Sequence, residues 1–286
     1  MAGTSAIQWT ETTWNPVTGC DRVSPGCDHC YALRMAGRLK RMGQSRYQVD
    51  GDPRTSGPGF GVQAHPDLID LPRHWRRPRL VFVNSMSDLF HARIPVDVVK
   101  GVFATMEATP QHTYQILTKR STRLRRLAPQ LQWPSNVWMG VSVENQDYAH
   151  RVDDLRTVPA AVRFISAEPL LGPVTLDLAG IGWVIAGGES GPGHRPMDVA
   201  WARELRDQCQ QTPTTRFFFK QVGGATANAG GRLLDGREWN EMPDQTPASG
   251  HVDDGRMNAA RDHHAAGAAS RGPAAAGAPV AAGEVR

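Results

Sequence analysis

Short apolar, β-branched runs recur along this chain at Leu80 to Asn84, Tyr114 to Leu117, Val137 to Val143, Val162 to Ile165, Trp183 to Ala186 and Arg216 to Phe219, each ending in polar residues or glycine. Between most of them, apolar positions repeat at helical spacing: Val96 to Ala108, Ser121 to Gln130, Gln146 to Thr157 and Val199 to Gln211. Runs that stay apolar at successive positions predict strands covered on both faces, and strands alternating with helices predict parallel βα units in an α/β chain. With one more strand expected ahead of Gly19, the count reaches about seven, which favours a full or partial (β/α) barrel over an open Rossmann sheet. Glu168 to Gly182 leaves too little room for a full helix, so one crossover is expected to be irregular.

Outside this rhythm, Trp9 and Trp14 read as core walls, and Tyr31 to Met42 reads as a basic amphipathic helix carrying Arg34, Arg38, Lys40 and Arg41. Gly43 to Pro78 is broken by Gly, Pro, Ser and Arg; it is too long for an ordinary connection and is expected to be a functional flap or a locally mobile insert. Residues 241 to 286 contain no Leu, Ile, aromatic residue or Cys, so they lack the apolar area needed to offset ordering entropy. The chain therefore reads as one barrel domain over residues 1–240, with an insert at about 43–78, and a low-complexity disordered tail over 241–286. The tail histidines His251, His263 and His264 are expected to be solvated.

Catalytic groups of such barrels sit at the C-terminal ends of the strands. The polar residues after each run then form one rim: Ser85, Ser87 and Asp88; Thr118 and Lys119; Ser142, Glu144 and Asn145; Ser166, Glu168 and Pro169; Gly187, Gly188, Glu189 and Ser190; Lys220 and Gln221. Several acids and two lysines on one rim mark a functional mouth. Each lysine also has a structural reading, as the partner of a rim carboxylate.

Cysteine usage adds the chemistry. Of four cysteines, Cys20, Cys27 and Cys30 fall within eleven residues, on a loop that contains Ser24-Pro25-Gly26 and follows the first expected strand; Cys209 lies apart, in a helical pattern. A thiolate trio on a flexible loop suits a soft metal or an iron–sulfur cluster. Three readings stay open. Zinc normally closes with four ligands, and this chain has one C-x2-C pair, with His29 inside it as a fourth donor that would have to fold back. A [4Fe-4S] cluster on three cysteines leaves one iron open to a small molecule. The third reading is three thiols without metal. A net charge of +4 permits an anionic partner without requiring one. Few cysteines, no N-terminal apolar region and no stretch approaching eighteen apolar residues predict a soluble, cytoplasmic protein that does not engage a membrane.

The Cys loop resembles the radical-SAM cysteine motif, with a longer first spacing and His29 where an aromatic usually stands. The segments WNPVTGC, SPGC-x2-CYA, FVNSMSDLFH, ILTKR, GVSVEN, FISAEPLLGP, WVIAGGESGPG and FFKQVGG together resemble an uncharacterised phage and bacterial family called three-cysteine-motif proteins, and more distantly spore photoproduct lyase and its relatives. The resemblance implies a barrel of the radical-SAM type in which Cys20, Cys27 and Cys30 hold a [4Fe-4S] cluster, S-adenosylmethionine (SAM) is the second cofactor, and an electron donor protein supplies reductant. The ammonium, carboxylate and ribose of SAM require carboxylates, hydroxyls and accessible backbone, for which Ser85, Asp88, Ser142, Glu144, Gly187, Gly188 and Glu189 are the candidates. Lys119, Glu168 and Lys220 are the candidate catalytic groups.

A nucleic acid or nucleotide-like molecule is the expected substrate or partner, with the alternative that the Arg-rich insert only solubilises a long loop. Arg34, Arg38 and Arg41, with Arg73, Arg76, Arg77 and Arg79, would grip a nucleic-acid backbone, and His74 and Trp75 would stack on a base. The rival reading is a zinc-stabilised nucleic-acid-binding protein of a phage or mobile element that performs no reaction.

Overall fold

The computed structural model describes residues 5, 7–227 and 229–244. Seven parallel strands form its sheet: β1 (Thr12–Trp14), β2 (Leu80–Val83), β3 (Thr113–Thr118), β4 (Val137–Ser142), β5 (Val162–Ala167), β6 (Trp183–Gly187) and β7 (Arg216–Gln221). They pair in chain order from β1 to β7. A doubly wound sheet reverses its strand order, whereas this one winds in a single direction, as a barrel does. The first and last strands do not pair among the described residues, so the barrel is partial.

Helices α1 (Tyr31–Arg41), α2 (Val96–Glu107), α3 (Ser121–Leu127), α4 (Arg151–Arg156) and α5 (Val199–Gln210) lie in the crossovers, and none is long and apolar enough to cross a membrane. The segment between β5 and β6 carries no helix, as its length requires. Two expected helices are shorter than their periodicity suggests. Helix α3 gives way to a 3-10 turn, Ala128–Gln130, because Pro129 lacks an N–H and its ring obstructs the carbonyl four residues back. The Gln146 to Thr157 pattern divides into a 3-10 turn, Gln146–Tyr148, whose amide at Asp147 is capped by Asn145, and then α4.

The sheet curls strongly. Phe82 and Trp183 lie on strands four steps apart, about 19 Å in a flat sheet at ~4.8 Å per step. The Trp9 ring nevertheless touches both, with centroids at 4.8 and 6.2 Å, so the two rings stand no more than about 11 Å apart. Trp183 sits at the focus of the concave face, also meeting Trp138 at 6.1 Å, Phe164 at 5.6 Å and Phe218 at 6.1 Å. The alternate residues, such as Val81, Val83, Met139, Val141, Val184 and Phe219, point to the convex face and its helices. Both faces are therefore dry, which is why the strands read as continuous apolar runs.

Three expectations about the surroundings change. Residues 43–78 pack as a brace and do not stand off as a flap: Gln63–Ala64 pairs antiparallel with Val17–Thr18, Phe60 and Trp75 are buried, and Trp14 Nε1 donates to the Leu68 carbonyl at 2.7 Å. Trp75 is enclosed by the core, edge-on to His112 and under the Arg79 guanidinium, so it has no free face for a base. The packed body also runs past residue 240. Glu241 accepts from Trp183 Nε1 at 2.9 Å through its carbonyl and from the Phe217 amide at 3.1 Å through its carboxylate, and Met242 packs on the concave cluster. From residue 245 onward the expected tail, with its three histidines, lies outside the described residues.

Trp183→Ala should remove the centre of the concave core and cost roughly 3–5 kcal/mol, the usual range for losing a large buried aromatic ring. Chemical denaturation read by far-UV dichroism measures it, and a loss below about 1 kcal/mol would show that the aromatic cluster is not what closes the curl.

Candidate metal centre

The three clustered cysteines occupy one loop at the C-terminal ends of the strands. Gly19 continues the β1 direction and pairs with Ser87 beyond β2, so Cys20 emerges at the rim; Pro25–Cys27 forms a 3-10 turn, and Cys30 is the N-cap of α1. Cys20 and Cys30 pack against one apolar patch containing Ala32, Ala36, Phe60 and Met86. Burial pushes the Cys20 thiol up to about 12, with Asp88 adding to the rise and Arg120 opposing it; burial also raises Cys30. Cys209 is buried in α5, away from the loop in sequence and element.

Four strand ends hold this loop by charge. After β4, the fully buried Glu144 accepts from Ser24 Oγ at 2.6 Å, from Arg151 at 2.9 Å and from Lys119 Nζ. Burial raises its carboxyl, but the charges of Lys119 and Arg151 and the hydrogen bonds from Lys119 and Ser24 outweigh that and hold it low. A side chain at Gly26 would place its Cβ 2.5 Å from Glu144 Cγ, so only glycine lets the loop lie on this carboxylate. After β6, Glu189 accepts from His29 Nδ1 at 2.8 Å, from the Arg195 amide at 2.8 Å and from the Arg195 guanidinium at 2.5 Å. Arg195 also donates to the Pro25 carbonyl at 2.8 Å.

After β2 and β3, Asp88 accepts from Thr118 Oγ1 at 2.7 Å, from the Phe90 and Lys119 amides at 2.9 and 3.2 Å, and from Arg120 at 3.2 Å. Arg120 in turn donates to Cys20 Sγ at 3.4 Å and to the Asp21 carbonyl at 3.1 Å. Asp21 binds Thr55 Oγ1, His91 Nε2 and Arg93 at 2.8, 2.9 and 2.6 Å.

The rim residues expected from the sequence thus fall into two groups. Asp88, Glu144 and Glu189 have their oxygens engaged by protein donors, so they present no free carboxylate; they fasten the Cys loop. Ser142 is buried and its carbonyl accepts from Arg151 at 2.7 Å, while Gly188 packs so tightly on the Val222 carbonyl that a Cβ would collide with it. Lys119 is the partner of Glu144. The more open groups are Lys220 and Glu168, paired at 2.8 Å beside Gly187, with Ser166 Oγ donating to Glu168 at 3.0 Å; Ser85 exchanges hydrogen bonds with Asn15 at 3.2 Å and accepts at its carbonyl from Tyr31 OH at 2.5 Å.

One residue escapes the sequence reading. Asn84, two positions beyond the concave-face Phe82, is buried in the left-handed region at φ 65°, and neither its Nδ2 nor its Oδ1 has a partner. An unpaired buried polar group costs about 1–3 kcal/mol, and a left-handed non-glycine adds strain, a combination that marks ligand sites. The run ending at Asn84 carried the signal, because period-2 alternation continues inward from Phe82.

Among the described residues, no three His, Cys, Asp or Glu side chains converge tightly enough to grip one metal ion. A cuboidal cluster asks for something else, one thiolate at each of three corners, and a loop of three partly buried thiols with a cationic donor at one sulfur fits that demand. His29, the possible fourth zinc donor, is turned to Glu189.

Glu189 supplies a pH prediction. Burial pushes its carboxyl up, but hydrogen bonds from Arg195 and His29 hold it at about 2, against an ordinary 4.5. Its contribution to stability is therefore complete above pH about 4.5 and is lost as pH falls toward 2. The stability gap between wild type and Glu189→Gln, from urea unfolding, should shrink as pH falls from about 4.5 toward 2; a gap that does not change over that window would show that Glu189 is not the ionised partner of Arg195.

Similar solved structures include spore photoproduct lyase complexed with dinucleoside spore photoproduct, at 12% identity over 77% of this chain and 79% of that one, TM-score 0.46. A mutant of that lyase with bound AdoMet and the dinucleoside matches at 12% identity over 76% and 78%, TM-score 0.44. For a further mutant with the dinucleoside the figures are 12%, 76% and 57%, TM-score 0.44, so this chain spans little more than half of that one. Likeness at this level carries over no residue's role. No curated protein matches the chain. Residues 4–243, most of the sequence, match the family described as "Protein of unknown function (DUF5131)", and the chain belongs to that family.

Proposed function

We propose that this protein is a radical-SAM-type enzyme acting on a nucleic acid or nucleotide-like substrate, with Cys20, Cys27 and Cys30 holding a [4Fe-4S] cluster. The observation that carries the reading is the three-thiol loop, set at the C-terminal rim of a parallel partial barrel and fastened there by four strand ends. When bound, such a cluster supplies one electron for reductive cleavage of SAM to methionine and a 5′-deoxyadenosyl radical, which takes a hydrogen atom from substrate.

The chain's own residues do the rest. Glu144 and Glu189 fix the loop from two sides, the aromatic floor around Trp183 keeps water out from below, and the apolar patch under Cys20 and Cys30 shields the sulfurs. Asn84, with two free donors and a free acceptor, and Ser85 offer polar contacts to SAM. Glu168 and Lys220 face the same mouth and would orient substrate.

The substrate class rests on charge. Arg76, Arg77 and Arg79 directly precede β2 and so lie at the N-terminal end of the sheet, away from the Cys loop, which corrects their expected place at the mouth. On the loop side, Arg34, Arg38 and Arg41 share the exposed face of α1, which has no acidic residue. Arg22, His29 and Arg34 line an open cleft of about 240 Å³ beside Cys30, together with Asp28, whose charge Arg195 meets at 3.5 Å. This is the surface that would hold a polyanion.

Anaerobic reconstitution should yield about four irons and four sulfides per chain, and 5′-deoxyadenosine with SAM and a strong reductant. Cys20→Ala, Cys27→Ala and Cys30→Ala should abolish both, and Cys209→Ala neither. Stoichiometric zinc without visible absorption would refute the reading. Neutralising Arg34, Arg38 and Arg41 together should make the log-log salt dependence of single-stranded DNA or RNA binding shallower by about 2–3, at ~0.7–0.9 for each phosphate no longer neutralised. An unchanged slope, or no binding at low salt, would exclude this surface.

A further inference from the structure

The three thiols are not equivalent. Burial raises the Cys30 thiol and the Ala32 and Leu33 amides at the start of α1 oppose that rise, while Cys27 Sγ lies 3.7 Å from the Ser24 hydroxyl. Cys20 is met by a cation: Arg120 directs Nη1 at its sulfur at 3.4 Å. That guanidinium is built into place. Nη1 also donates to Asp88 at 3.2 Å and Nη2 to the Asp21 carbonyl at 3.1 Å, with the Arg120 and Asp88 side chains 12% and 8% exposed. Asp88 is itself held by Thr118 Oγ1 and two backbone amides, so neither member of the pair is free to swing away.

In the free protein the Cys20 thiol donates to the Asp21 carbonyl at 3.5 Å. An iron-bound thiolate has no proton to donate, and the donor left to its sulfur is Arg120.

We propose that Arg120 is a tuning residue, whose buried guanidinium would hydrogen-bond the Cys20 thiolate of a bound cluster and raise its reduction potential, with Asp88 setting how much of that charge the cluster feels. Reduction adds one negative charge to the cluster, so a fixed cation at one sulfur favours the reduced state, and hydrogen bonds to cluster sulfurs act in the same direction. Asp88 partly cancels the cation. The two residues therefore act with opposite sign, although they form one structural unit. The inference rests on the cluster proposed above.

The test is an EPR-monitored redox titration of the full chain, reconstituted anaerobically, with iron and sulfide content and thermal unfolding measured on each variant. Arg120→Met should lower the ratio of reduced to oxidised cluster at least tenfold at a fixed poise, equivalent to about 59 mV for a one-electron couple. Arg120→Lys, which keeps the charge and loses the planar two-point hold, should fall between Met and wild type. Asp88→Asn should move the potential the other way, and the double variant should return toward wild type. A purely structural pair would shift both single variants in the same direction, or change iron content without moving the potential; either result overturns the proposal while leaving the cluster standing. A wild-type protein that takes up no cluster overturns both.

Discussion

Glu144 is the point on which the arrangement turns. A fully buried carboxylate is tolerated only when its charge is matched, and here Lys119 from the end of β3 and Arg151 from α4 supply two cations while Ser24 closes the set from the Cys loop. Removing one member of a buried ionic group leaves the others uncompensated, at roughly 3–5 kcal/mol. The loop cannot leave without exposing that deficit. The geometry is equally restrictive: the glycine at 26 is what allows the backbone to rest on the carboxylate.

Around this contact the rim works as a set of ionic latches above an aromatic floor. The floor curls the sheet, because rings from strands that would be widely separated in a flat sheet meet at Trp9 and Trp183. The curl brings the ends of β2, β3, β4 and β6 near one another, so that a single loop can touch Arg120, itself held by Asp88, through Cys20 and its neighbour, Glu144 through Ser24, and Glu189 through His29. Arg34 adds a further tie, donating to the Ser190 and Pro192 carbonyls from the first turns of α1, and the left-handed Gly191 gives its guanidinium room. The side where β1 and β7 fail to meet is partly covered by Trp239 to Met242, which close the outer edge of β7 through main-chain bonds to Phe217 and Phe219.

Much of this was legible in the residues. Strand positions, strand count and the irregular crossover followed from apolar runs and their spacing, since a sheet dry on both faces writes itself as continuous hydrophobicity. The rim followed from the rule that strands end where polar residues begin. Which rim carboxylates were free did not follow, because pairing depends on which cations the fold turns toward the rim: Arg151, from the following helix, and Lys119, from the preceding strand end, for Glu144, and Arg120 for Asp88. Trp75 looked available beside its arginines, but its burial is set by His112 and the helical brace, at long range. Arg76 to Arg79 misled although the signal was present, since the apolar run from Leu80 already set them ahead of a strand and so at the end of the sheet opposite the rim. Asn84 lay inside a recognised motif, yet its lack of partners is visible only in three dimensions.

In the proposed function the loop holds a cluster with three thiolates and keeps one iron open. Mössbauer spectra of protein loaded with iron-57, taken with and without SAM, address it directly. With one iron open, SAM should change the signal of one iron in four and leave the other three as they were. Four irons that respond alike, or none that respond, would contradict it.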